Sequence, residues 1–293
     1  MWIANAIQFD QVHGQVGPAV FTIDGQILRG TSWKFHELRV RIHGQARDAL
    51  EMPASFRPLA TYITSGRIDL SLVMSGALQS PHLVGRLEAN ELTVRGPNGR
   101  STDTGSTAVD FAGTLTQASV QIDQFDLVMP SGRVHSRGQL GWNPTWDIHG
   151  RIEANDLSLN HVTKFLSFGP LQDGKLNGSV QIHGRGSDWT QWDMVGNAAL
   201  VEGTLTPMGR AEAGRMSVRA QFLGKDLQLQ TLSVKFPDSD MTVSGTIRNW
   251  LHHPIAIMAA ESSQFDLRRL IPERKPQEGV KRPSSPMPAQ IKL

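Results

Sequence analysis

The chain of 293 residues contains no cysteine. It therefore has neither a disulfide framework nor a thiolate metal site. Aromatic residues make up 6 % of the chain, with a single tyrosine. The best candidate for a membrane-spanning run, residues 255–260, is far shorter than the roughly 20 residues that a spanning helix needs. The N-terminus lacks the basic start and apolar core of a signal peptide. We expect either a cytosolic protein or a piece of a longer one.

The chain also lacks a basic stripe. Its net charge is +2, and residues 272–293 carry five Lys or Arg against two Glu, so the rest of the chain is close to neutral. Nucleic-acid-binding proteins concentrate positive charge on a folded face. We therefore predict no nucleic-acid partner. The 272–293 stretch is rich in proline, which disfavours both helix and sheet, and we predict a basic linker or tail there.

The most informative pattern in the chain is an apolar alternation that occurs twice, 107 residues apart. Alternation with period two is typical of a β-strand with one apolar face. Each copy contains one three-residue step, after Ile122 and after Leu229, which predicts either a β-bulge or a tight turn between two short strands. The copies are Val120, Ile122, Phe125, Leu127 and Met129, and Leu227, Leu229, Leu232, Val234 and Phe236.

The repetition extends beyond these two segments. Gly66 and the alternating residues after it match Gly174 and its followers, and Ile148 matches Ile255. We therefore predict two β-groove repeat units, 66–173 and 174–271, preceded by a partial N-terminal repeat with a short helix at 1–65. A weaker third copy is proposed at Trp33, Phe35, Leu38, Val40 and Ile42.

Glycine-bounded strands at a spacing of roughly 8–14 residues are typical of an antiparallel meander. The predicted fold class is all-β and mainly antiparallel: a long, curled, open-sided sheet of about 20 strands in repeated meander units, with one or two short helices. Turns are expected at His13-Gly14, Asp24-Gly25 and Gly30, and helical segments within 45–63, 158–168 and 266–271.

One face of each predicted strand is consistently dry. In 67–75, Leu70 and Leu72 point to one side, while Asp69 and Ser71 point to the other. We predict that the dry side lines a hydrophobic groove, and the alternative is the core of an ordinary β-sandwich. The predicted lining residues are Ile68, Leu70, Leu72, Met74, Val120, Ile122, Leu176, Val180, Ile182, Leu227 and Leu229.

Catalytic patterns are missing. The chain has no GxSxG elbow, phosphate loop or HExxH motif. None of its ten histidines lies two or four residues from another, so no local metal clip is predicted. Asp123 and Asp126 flank the first phase slip but are Gln230 and Ser233 in the second copy, which argues against a paired-carboxylate site. We expect no enzyme activity, catalytic residue, metal or cofactor. Trp189 and Trp192 form either an aromatic platform or a packing pair.

The run 173–184, DGKLNGSVQIHG, followed by VGNAAL at 195–200, resembles the GxLxxxLxLxG … xGxAxL unit of AsmA-like proteins, which are bacterial envelope proteins related to TamB. The proline-rich stretch that follows 265–272 also resembles this family. The resemblance covers about residues 60–272.

The resemblance implies a curled β-sheet, open along one side, with a hydrophobic groove that binds phospholipid or another acyl-chain lipid. Family members are anchored in the inner membrane by an N-terminal helix, extend into the periplasm, and serve phospholipid supply or assembly at the outer membrane, where envelope assembly proteins are possible partners. This chain has no such helix, so we expect a fragment whose membrane contact lies in a missing segment.

Two functions follow. The first is non-enzymatic lipid binding or transfer along the groove. The second is an envelope scaffold whose dry face packs on itself or on a partner, with partner proteins bound by β-strand addition. A polysaccharide-acting β-helix is disfavoured because its rungs would recur at roughly 20–25 residues.

Overall fold

The computed structural model describes residues 2–3, 5–46, 63–95, 101–103, 105–142, 145–159, 171–186, 188–206, 213–237 and 239–264. These residues form 17 β-strands of one sheet and a single 3₁₀ turn, Trp189–Gln191. The strands are β1 Trp2–Ile3, β2 Ala6–Val16, β3 Ala19–Arg29, β4 Trp33–Gln45, β5 Ile63–Ala77, β6 Ser80–Arg95, β7 Ser101–Asp103, β8 Thr107–Leu115, β9 Ser119–Met129, β10 Gly132–Gly141, β11 Asp147–Ser158, β12 Leu171–Arg185, β13 Asp193–Leu205, β14 Gly214–Gly224, β15 Asp226–Phe236, β16 Ser239–Arg248 and β17 Ile255–Glu261.

The sheet is an antiparallel meander. Each strand pairs with the next one in the chain, except that β6 pairs with both β7 and β8 along one edge. The sheet is open and does not close into a barrel. The predicted all-β, antiparallel, open-sided fold is confirmed. Apart from the very short β1 and β7, the described residues form fifteen strands, fewer than the expected 20.

The strands are longer than predicted at the N-terminus. The turns expected at His13-Gly14 and Asp24-Gly25 are wrong, because these residues lie inside β2 and β3. Gly25 has a φ of 123° and faces a bulge in β4, so the glycine marks a close approach of two backbones instead of a turn. The expected turn at Gly30 is confirmed, since the Gly30 N–H donates to the carbonyl of Ser32.

Both phase slips are β-bulges. β9 runs without a break through the slip, and its register shifts against β8 and against β10 between Ile122 and Phe125. β15 shows the same shift against both neighbours between Leu229 and Leu232. The alternative prediction, a tight turn between two short strands, is therefore wrong. The extra residue keeps the apolar side chains before and after the slip on one side of the sheet.

The repeated architecture is visible strand by strand. In order, β5, β6 and β8 to β11 correspond to β12 to β17. Gly66 and Gly174 take positive φ values, 126° and 131°, in the first strand of each unit. A bulge on the following strand faces each of them, with positive φ at Glu91 and at Glu202. The boundaries at 66, 174 and 271 stay a prediction.

One match between the units differs from the sequence alignment. Leu140 pairs with Ile148, and its counterpart Ile247 pairs with Ala256. Ala256, and not Ile255, therefore occupies the place of Ile148. Ile255 lies on the opposite side of the sheet, because a one-residue difference reverses the face of a strand.

The proposed third copy contains a bulge, but of another kind. In β4 the register shifts between Phe35 and Leu38, and Glu37 has a φ of 49°. The bulges of β9 and β15 contain no residue with positive φ among those described. Glu37 and the facing Gly25 instead reproduce the pair formed by Glu91 and Gly66. The β3–β4 hairpin thus resembles the β5–β6 hairpin.

The sheet has two distinct faces. The apolar face is the side that carries Leu72 and Val180, and the polar face is the side that carries Ser71 and Gln181. All the described strands belong to this one sheet, and no large side chain among the described residues is fully buried, so no second layer of described strands packs on the apolar face. Several rings on this face lie where a side chain on the cross-strand glycine would clash, which lets the sheet pack within one layer. These pairs are Phe21 with Gly14, Phe111 with Gly85, and Phe236 with Gly214.

The predicted helices at 45–63, 158–168 and 266–271 lie outside the described residues except at their ends, where Gln45, Ala46, Ile63, Ser158 and Leu159 are described. Gln45 ends β4, Ile63 begins β5 and Ser158 ends β11. In the part of the chain that the structure describes, no helix is long and apolar enough to cross a membrane.

We predict that Gly66→Ala and Gly174→Ala each destabilise the sheet by about 1–3 kcal/mol. An added Cβ would lie 2.8 Å from Leu92 Cα in the first case and 2.8 Å from Leu200 Cδ1 in the second, on a backbone with positive φ. Urea denaturation followed by circular dichroism measures the effect. Gly30→Ala is the control, because the nearest atom to its Cβ is 3.8 Å away. A loss at Gly66 without one at Gly174 would contradict the equivalence of the units.

Candidate functional site: an uncovered apolar face

A single row of side chains crosses the apolar face from β2 to β17. Each member is the direct register partner of the next, so all of them point to the same side of the sheet. We call it the central row. Its members are Val12, Ile23, Val40, Leu72, Gly85, Phe111, Phe125, Ser136, Ile152, Val180, Gly196, Phe222, Leu227, Ile247 and Ala256.

The central row contains no charged residue. Ser136 is its one hydroxyl-bearing member, and Gly85 and Gly196 add no side chain. At a spacing of about 4.8 Å between strands, fifteen strands extend the row over roughly 70 Å along the sheet. The 20 predicted strands would have extended over roughly 100 Å. The row is still more than twice the roughly 30 Å hydrocarbon thickness of a bilayer.

The apolar face is only partly shielded from solvent. None of the described side chains is a large, fully buried one, and the buried hydrophobic residues are few and scattered. Ile152, in the middle of the sheet, is 42 % exposed. Its register partners are Ser136 and Val180, and Gly150 and Ala154 flank it along β11. Small neighbours therefore leave this part of the face open.

All eleven predicted lining residues lie on the apolar face. Leu72, Val180 and Leu227 belong to the central row, and the others lie in the rows beside it. Ten of them are half-buried. Ile68 differs: it is 9 % exposed and packs with Ala46 and Ala89 in a small core. Contact of any of the eleven with a lipid stays a prediction.

Several large members of the central row were not predicted as lining residues, among them Phe111, Phe125, Ile152 and Phe222. The alternation of Val109, Phe111 and Gly113 was available in the sequence. The place of Phe111 in the central row could not be read from the sequence, because the register that joins β6, β8 and β9 comes from the tertiary structure.

Cross-strand polar pairs link neighbouring strands on the polar face. His43 bonds to Asp69, an Arg86 nitrogen lies 3.3 Å from each Asp110 oxygen, and His135 Nδ1 lies 2.5 Å from Asp126 Oδ1. The hydrogen bond from His135, with a second from Gln124, lowers the pKa of Asp126. Such exposed pairs contribute little to stability, because water screens them.

These pairs also decide the role of the two aspartates at the first bulge. Asp126 is engaged by His135, whereas Asp123 accepts a 2.8 Å hydrogen bond from Gln121. The two carboxylates therefore have different hydrogen-bond partners. Asp123 also borders an open hollow of about 520 Å³ on the polar face. The other polar residues that line this hollow are Gln121, Arg137, Gln139, His149, Arg151 and Gln181.

Of the two tryptophans at the 3₁₀ turn, the structure describes the side chain of Trp192, which directly follows the turn. The ring of Trp192 lies where a Cβ on Gly184 would be, and its Nε1–H donates to the carbonyl of Gly186 at 3.3 Å. Trp192 is therefore a packing residue. The side chain of Trp189 lies outside the described residues. Within the described ranges, no three His, Asp or Glu side chains gather at a distance suited to a metal ion.

No family model, curated protein or solved structure matches the chain.

Asp240 fastens the chain that leaves the last strand. Its Oδ1 accepts from the N–H of Ser263 at 2.7 Å and from that of Gln264 at 3.3 Å, and its Oδ2 accepts from the Ser263 hydroxyl at 2.5 Å. The Asp240 N–H in turn donates to the carbonyl of Gln264. Led by the hydroxyl of Ser263, these donors lower the pKa of Asp240 to about 2.

We predict that Asp240→Asn loosens residues 262–264 at neutral pH. Because the pKa of Asp240 is lower in the folded state, its contribution is present above the ordinary value of 3.8 and is lost as the pH falls towards 2. Hydrogen exchange of the Ser263 and Gln264 amides at pH 7 and pH 3 measures the effect. Asp147→Asn removes the same charge from an exposed strand position and controls for net charge. Equal protection of these amides in Asp240→Asn and the unaltered protein would contradict the prediction.

Proposed function

We propose that this protein binds the acyl chains of phospholipid or a similar lipid along its apolar face, without catalysis, and passes lipid along that face. The central row is the observation that carries the proposal. It offers about 70 Å of uncharged surface that no second layer of described strands covers. Contiguous apolar surface of this extent marks a binding site in a protein that remains in water.

The energetics suit an unspecific lipid track. Each CH₂ group removed from water contributes about 0.8 kcal/mol, so a 16-carbon chain gains on the order of 10 kcal/mol before the cost of ordering it. A uniform row of Phe, Leu, Ile and Val has no dominant pocket. A lipid can therefore shift along the row with little change in free energy, which is what transfer requires.

The open side of the sheet suits the rest of the lipid. Burying an unpaired head group costs several kcal/mol, so it must stay in water while the acyl chains leave it. A closed barrel would force both parts inside, whereas an open sheet lets the head group project along its free side. This distinction favours a lipid track over a closed binding cavity.

The resemblance of residues 60–272 to AsmA-like proteins supports a setting for this activity. We propose that the chain acts in the periplasm, in association with the inner membrane, in phospholipid supply to or assembly of the outer membrane. Contact with the membrane would then be made by a segment outside this chain.

The test introduces a carboxylate on the apolar face and compares it with a carboxylate on the polar face of the same strand. We expect Leu72→Glu and Val180→Glu each to weaken lipid binding about tenfold or more, because a charge laid along an acyl chain costs at least about 1.4 kcal/mol. Since both positions are half exposed in the lipid-free protein, the variants should fold. Phospholipid carried by the purified protein is measured by native mass spectrometry, and uptake by a fluorescent phospholipid.

The matched controls are Ser71→Glu and Gln181→Glu, which put the same charge one residue away on the polar face. They should retain lipid binding, and circular dichroism should show folded protein in all four variants. Absence of bound lipid and of uptake in the unaltered protein would reject the lipid proposal, and so would equal losses on the two faces.

A second function, an assembly scaffold that binds partner strands, is favoured by β17. It is the last described strand, every one of its residues is exposed, and Ile255 and Ile257 are 59 % and 58 % exposed on the polar side. Its counterpart in the first unit, β11, pairs on its far edge with β12. By this equivalence the outer edge of β17, which pairs with no described strand, fits an antiparallel strand like β12 from another polypeptide.

We expect a peptide with the sequence of β12, residues 171–185, to bind the protein, and Ile257→Lys to weaken that binding, since lysine is a residue that blocks strand addition at sheet edges. Thr242→Lys, on the polar face of β16, is the control. Fluorescence anisotropy of the labelled peptide measures both. Failure of the peptide to bind would reject the scaffold proposal and leave the lipid proposal unaffected.

A further inference from the structure

Two histidines that lie 34 residues apart in the chain meet on the polar face. His149 of β11 and His183 of β12 are direct register partners, and both side chains are exposed. Their Nδ1 atoms are 3.3 Å apart, and the rings meet edge to face with centroids 5.5 Å apart. The pairing is invisible to spacing rules, which find neighbouring ligands only within one strand or helix turn.

The distance between the two nitrogens fits a shared metal ion. Zinc binds imidazole nitrogen at about 2.0–2.1 Å, and two such bonds at the tetrahedral angle place the nitrogens about 3.3–3.4 Å apart. The observed 3.3 Å matches that bite. In a neutral pair one Nδ1–H donates to the other nitrogen, and a metal ion would replace that proton, with both rings protonated at Nε2.

The surroundings leave this pair accessible. His149 is part of the wall of the open hollow on the polar face. Arg151, the nearest cation along β11, is already engaged: its Nε lies 2.6 Å from Glu153 Oε1 and 3.0 Å from Ser179 Oγ. On the β13 side of the pair, Asp193 is the register partner of His183 and places a negative charge beside it on the polar face.

We propose that His149 and His183 form a two-histidine site for a late first-row divalent metal ion, such as Zn²⁺ or Cu²⁺. Imidazole is a favoured ligand of these ions and a poor one for Mg²⁺ or Ca²⁺. No third His, Asp or Glu among the described residues completes the set, so water occupies the remaining positions. The site is therefore open to exchange.

The position of the site gives it a structural consequence. β11 is the last strand of the first repeat unit, and β12 is the first strand of the second. A metal ion bound by one histidine from each strand ties the two units together on the polar face. It does so without touching the apolar face, so the site is independent of the lipid track.

The experiment is a calorimetric titration of the untagged full chain with Zn²⁺. We expect one ion to bind per chain, and His149→Ala and His183→Ala each to weaken binding more than about tenfold, since loss of a ligand costs at least as much as loss of an outer-shell partner. Mg²⁺ should give no binding heat. With Cu²⁺, electron paramagnetic resonance should show two equivalent nitrogen donors.

His253→Ala is the matched control, because His252 and His253 are the other close histidine pair, with ring centroids 4.1 Å apart. That variant should bind Zn²⁺ like the unaltered protein. Circular dichroism checks the fold of each variant. Three results would overturn the proposal: no binding at millimolar Zn²⁺, undiminished binding by either His149→Ala or His183→Ala, or loss of binding only in His253→Ala.

Discussion

The structure depends on keeping the alternating apolar side chains of its strands on one side of a single-layer sheet. In a strand the side chains alternate, so any odd step would send the remaining apolar residues into the polar face. The bulges of β9 and β15 absorb that step between Ile122 and Phe125 and between Leu229 and Leu232. Without the bulges, the apolar side chains beyond the slip in each strand would turn to the polar face. The repeated defect in the sequence is thus the device that makes the face continuous.

A one-layer sheet has to stabilise itself largely within its own plane. On the apolar face, aromatic rings such as Phe111 lie over glycines of the neighbouring strand, where any larger residue would clash. On the polar face, cross-strand pairs such as Arg86 with Asp110 link adjacent strands, although each contributes little. Neither device buries the apolar face. A face left uncovered by the fold is available for a ligand, and this connects the architecture with the proposed lipid track.

The lipid, scaffold and metal proposals use different surfaces of the same sheet. Lipid would occupy the apolar face, a partner strand would extend the edge at β17, and a metal ion would join β11 to β12 on the polar face. A repeated meander makes this separation natural, because each strand presents two faces and only the terminal strands present an edge. The three activities can therefore be altered one at a time by substitution.

The sequence by itself determined the strand class, the dry and wet faces, and the two-fold repetition, because each follows from period-two alternation within one strand. It also located both phase slips, since a three-residue step is a local feature, but it left open whether each is a bulge or a turn. The sequence could not show that Gly25 lies inside a strand or that His149 contacts His183. It also could not show that Ala256 occupies in the second unit the place of Ile148 in the first. Those depend on register, which is set between strands by hydrogen bonds and by the positions of the bulges. The central row, likewise, exists only once fourteen strand pairings are fixed.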